Sequence, residues 1–77
     1  MNNVRRKQLQ SAISLLEEAM DIIQSVQEEE QDAYDNLPES FRYSEKGERM
    51  EQNISDLEDG VSSIDDVICS LNEIIEN

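Results

Sequence analysis

The chemistry open to this sequence is carried by carboxylates. Glu28, Glu29 and Glu30 stand in a row, DLEDG occupies positions 56–60, and a single thiol, Cys69, lies among the acids of the C-terminal part. Converging carboxylates can move protons or hold a hard cation. Three consecutive residues fan around a helix, however, so Glu28, Glu29 and Glu30 do not meet at one point. DLEDG lacks the alternating ligand spacing and closing glutamate of a calcium loop. There is no histidine, which removes the commonest general base and metal ligand. A di-iron bundle, with its Glu-x-x-His repeats, cannot be built. No glycine-rich loop cradles a phosphate. The sequence predicts a protein that is not an enzyme and has no cofactor and no metal.

The same acids sit on a strongly periodic chain. Met50, Ile54, Leu57, Val61, Ile64, Ile68, Leu71 and Ile75 alternate spacings of four and three, which is a heptad seam. Leu9, Ile13, Leu16, Met20 and Ile23 repeat it in the first half. That seam runs on through polar Gln27 and Glu30 to Tyr34 and Leu37. Pro38 disfavours a helical Leu37, and Ser44 is a good N-cap. The reading is a single all-α domain over 1–77, with helix 3–36, turn 37–43 and helix 44–76. Each helix would be about 50 Å long at ~1.5 Å per residue. Equal helices and a short connection predict an antiparallel, coiled-coil-like hairpin.

Laying the seams against each other places Ile13 opposite Ile68, Leu16 opposite Ile64 and Glu30 opposite Met50. Tyr34 then faces Gly47, so the glycine is expected to make room for the ring. The corner YDNLPESFRYSEKG, with Tyr34, Leu37, Pro38, Phe41, Tyr43 and Gly47, is expected to fold into a small aromatic lid. At the open end, Arg5, Arg6 and Lys7 lie beside Glu73 and Glu76. Both groups oppose the helix dipole, so attraction between them is expected.

One flank of the pair is polar throughout; its acids Glu17, Glu51, Glu58 and Asp65 form a candidate binding face. The other flank carries Ala12, Leu15, Ala19, Ile22, Val26, Gly60, Val67 and Ile74. This arc is wider than a two-helix seam needs. It is the expected dimer interface, closing two hairpins into a four-helix bundle.

Six basic and 19 acidic residues give a net charge of −13. Such a surface repels nucleic acid and anionic membranes, so direct binding to either is not expected. No apolar run approaches the roughly 18 residues of a membrane span. No signal peptide is visible, and a lone thiol suits a reducing compartment. The expected location is cytoplasmic.

The stretch DAYDNLPESFRYSEKGERMEQNISDLED resembles small acidic helical proteins encoded by phages and prophages of low-GC Gram-positive bacteria. The resemblance rests on Tyr34 to Ser40, Ser44, Gly47, Glu48, Met50 and Glu51, followed by an acidic helix. Gly60 departs from it, since alanine is more usual there. The resemblance implies a mobile-element origin and a host-cell setting, and brings no activity with it. The expected function is a protein-interaction module that modulates or inhibits a host protein. Anti-defence inhibition and nucleic-acid mimicry are specific versions. A structural oligomerisation or assembly protein with no separate target is the alternative.

Overall fold

A computed structural model describes residues 1–77. It contains three helices: α1 (Asn3–Asp35), α2 (Glu39–Arg42) and α3 (Glu45–Glu76). Helices α1 and α3 pack along each other as an antiparallel hairpin within an envelope of 58 × 15 × 13 Å. Two cross-helix bonds fix the direction. Near the corner, Tyr34 donates its hydroxyl to Glu51. At the far end, the Arg6 guanidinium donates to the main-chain oxygen of Asn77 at 3.0 Å.

Local chemistry sets the ends of the helices. The Asn2 side chain caps α1 by accepting from the Arg5 N–H at 2.8 Å. The Leu37 N–H closes the last turn onto the Tyr34 carbonyl at 3.1 Å, and Pro38 stops it. Ser44 caps α3 through the Gly47 N–H, with Glu45 and Glu48 in the first turn, where acids favour the dipole.

The seam faces inward throughout. Ile13, Met50 and Ile68 are the buried apolar residues. Leu9, Leu16, Met20, Ile23, Ile54, Leu57, Val61, Ile64, Leu71 and Ile75 are half-buried. Two helices alone cannot cover a seam from both sides, so most of it stays partly wet. Glu30 is half-buried within it, and Asn53 of α3 donates to its carboxylate at 3.5 Å. This polar break in the seam therefore has a partner from the opposite helix.

The corner differs from expectation. Residues 37–43 are not a simple turn, because α2 occupies four of them. The aromatic lid does not form: Phe41 is 51% and Tyr43 85% exposed. The side chain that turns in is Arg42. It donates to the Asp35 carbonyl at 3.1 Å and lies over the Tyr34 ring, 5.8 Å from its centroid. Asp35 ends α1, where carbonyls lack helical partners. A cation answers that need better than a ring does.

Gly47 is buried for a different reason than the Tyr34 ring. A Cβ there would sit 2.3 Å from the Arg42 carbonyl oxygen and 2.6 Å from that of Phe41. The glycine lets the last carbonyls of α2 rest on the start of α3. Its φ is not positive, so close approach is the whole requirement. At the open end, no ion pair joins the N-terminal bases to Glu73 or Glu76; the one ion pair in the molecule is Arg49–Glu45, within α3.

Candidate interaction surfaces

The apolar flank predicted from sequence lies together on one side of the hairpin. Leu15 is 66% and Ile22 65% exposed. Val26, Val67 and Ile74 are also exposed. Ala19 and Gly60 are half-buried between them, and Ala12 is half-buried near the open end. Nothing lies within 4 Å of where a Gly60 Cβ would stand. The flank is therefore an open apolar strip with low ground at its centre. Toward the corner it shallows into two open depressions. One is lined by Glu45, Lys46, Arg49, Met50 and Asn53, the other by Val26, Glu29 and Glu30. Both are lined mainly by polar residues, so the apolar strip ends at about Val26.

The opposite flank carries Glu17, Glu51, Glu58 and Asp65, all exposed. Three of them occupy the same heptad position of α3, and Glu17 comes from α1. Glu51 is engaged by Tyr34. That hydrogen bond, partial desolvation and the charge of Glu51 together push the Tyr34 hydroxyl above its ordinary pKa of 10.0.

The corner forms a third surface. Leu37 is half-buried and Pro38 exposed. Tyr34 and Gly47 belong to its packed side, Phe41 and Tyr43 to its outer side. The residue missed in sequence is Arg42, which links the end of α1 to the Tyr34 ring. Its signal was present: it is one of six bases in the chain, placed shortly after the α1 terminus whose carbonyls need donors.

No three acidic or thiol side chains converge in a way that could hold a metal ion. Cys69 is exposed. No helix is long and apolar enough to cross a membrane. The chain matches no protein-family model, no curated protein and no solved structure.

Proposed function

We propose that the protein is a small, acidic, non-enzymatic protein-interaction module that works as a homodimer. The observation that carries this reading is the apolar strip around Leu15 and Ile22, exposed along the middle of an otherwise charged hairpin. Apolar surface gathered on one face of a charged protein marks an interface. The accessible area supports it. The chain exposes 5739 Å², whereas a compact monomer of its mass exposes about 4,800 Å². The difference of roughly 900 Å² is close to the ~800 Å² that each partner buries in a standard interface.

With the strip covered, the acidic faces and the corner remain for a target. The likeness of Tyr34–Ser40 and the following helix to phage-encoded proteins supports a host protein as that target. On this reading the protein modulates or inhibits that target in the host cytoplasm, and anti-defence inhibition is one form of it. The two base-free stretches carry 17 acids, or about one charge per 3 Å of a ~50 Å hairpin. A dimer approaches the one charge per ~1.7 Å of DNA, which supports nucleic-acid mimicry as the mode. The second reading is an assembly protein without a separate target; the position of the strip at the centre of the hairpin favours it, because self-association alone could use all of it.

Light scattering tests the common core of both readings. The 8.9 kDa chain is expected at twice its mass, and Ala19→Glu at its single mass with helix content retained. A monomeric wild-type protein removes both readings. Affinity capture with nuclease present, at low and high salt, then separates them. A basic, nucleic-acid-binding partner held only at low salt supports mimicry. Recovery of the bait alone supports assembly.

A further inference from the structure

We infer that the partner on the apolar strip is a second copy lying antiparallel, with α1 packed on α1 across a two-fold axis at Ala19. The inference rests on the self-association proposed above and specifies its geometry. Ala12, Leu15, Ala19, Ile22 and Val26 alternate spacings of three and four. Helix α1 thus carries a second heptad seam beside the one it gives to α3. Unlike the first, this seam is open: Leu15 and Ile22 are about two-thirds exposed.

The second seam is self-complementary. Turned end over end about Ala19, Leu15 falls on Ile22 of the copy, Ala12 on Val26, and Ala19 on itself. Large residues meet large ones twice, and the two alanines at the axis allow close approach. The centre of this seam is also the centre of α1, which runs from Asn3 to Asp35. The two hairpins therefore overlap along their full length.

Charge is matched at the two ends of the strip, where Arg5 of one copy comes level with Asp32 of the other, while Glu18 meets its own copy beside the axis. A parallel dimer, with α1 on α3 of the copy, also pairs opposite charges, so charge does not choose between the two. Packing does. The parallel arrangement sets Ile22 between Asp56 and Gly60, and Val26 between Asn53 and Asp56. Burying a carboxylate against two aliphatic side chains is unfavourable. In the antiparallel dimer α3 stays at the rim, where Asn53, Asp56, Ser63 and Ser70 remain hydrated.

Cysteine bridging in the full chain tests this. Cys69→Ser removes the native thiol, and Ala19→Cys then places one thiol at the axis. Mild oxidation is expected to double the mass of the 8.9 kDa chain on a non-reducing gel. Ser14→Cys, on the far side of α1, is expected to remain single. If A19C fails to bridge itself but bridges tagged S63C chains, the dimer is parallel and the inference falls while self-association stands. If the unmodified protein is monomeric by light scattering, both fall.

Discussion

The Tyr34 hydroxyl donates to the Glu51 carboxylate, joining the last turn of α1 to the second turn of α3. The bond is the one hydrogen bond between a seam residue and the acidic flank. It raises the tyrosine's pKa, chiefly because the carboxylate accepts a hydrogen bond that only the protonated phenol can donate. The neutral phenol is the form the fold favours. Its contribution to stability is therefore complete below the unfolded pKa of about 10 and is lost as pH rises through the higher folded value. Ultraviolet titration of a Tyr43→Phe protein should show Tyr34 ionising above the pH at which the urea-unfolded chain does. Glu51→Ala should bring the two together; an unchanged gap would mean that the bond does not set the pKa.

The two glycines should respond in opposite ways. Gly47→Ala drives a Cβ into two main-chain carbonyls of α2 and should destabilise the fold by about 1–3 kcal/mol, as overpacking does. Gly60→Ala meets open space within the chain and should stabilise α3 by about 0.5–1 kcal/mol. Urea titration of both variants reads the contrast directly.

Seam and strip should separate in the same manner. Val61 is half-buried in the seam, so Val61→Asp should cost about 2–3 kcal/mol and melt the hairpin by circular dichroism. Under the proposed self-association, Ala19→Glu should keep helix content and lose the dimer. Val67→Glu, nearer the rim, should weaken the dimer less. If Ala19→Glu melts the helices instead, the strip is part of the hairpin's own stability.

A triple variant combining Glu51→Gln, Glu58→Gln and Asp65→Asn should preserve or slightly raise stability. It relieves repulsion in a chain of net charge −13, while the glutamine amide at position 51 keeps an oxygen for Tyr34. Under the mimicry reading, the same variant loses its basic target. Full retention of binding by the triple variant would remove mimicry.

Arg42→Ala should destabilise the corner by about 1 kcal/mol, through loss of one hydrogen bond and a partly exposed contact with the Tyr34 ring. Arg42→Lys should recover only part of this, since a point charge cannot both donate to Asp35 and lie flat on the ring. Equal stability of the wild-type and Arg42→Lys proteins would count against the stacked geometry.

The long helices were legible because the three-four spacing repeats over more than four turns in each half, and every apolar seam position from Leu9 to Ile23 and from Met50 to Ile75 is covered to some degree. The exposure of Leu15 and Ile22, off the seam, follows from the same spacing. The corner was not legible. A helix of four residues has no periodicity to read, and residue type pointed the wrong way: Phe41 and Tyr43 are aromatic yet exposed, Arg42 is charged yet turned in. What decided their placement was the supply of donors to the end of α1, a matter of local hydrogen bonding and not of hydrophobicity. The reason for Gly47 was hidden with it, because the carbonyls it admits belong to that short helix.

The tight corner also bears on the order of events in folding. Contacts near Tyr34 and Gly47 close short segments of chain, whereas Ile13 and Ile68 enclose most of it. Loop closure becomes dearer with length, though slowly. Once Arg42 reaches the Asp35 carbonyl and Ser44 starts α3, each layer is already brought near its mate by the one before. The hairpin should zip from its closed end, and Arg6 and Asn77 should be the last to meet and the first to part. Amide exchange would record this as protection that declines from the corner toward the termini, interrupted by a second maximum around Ala19 when two copies are joined.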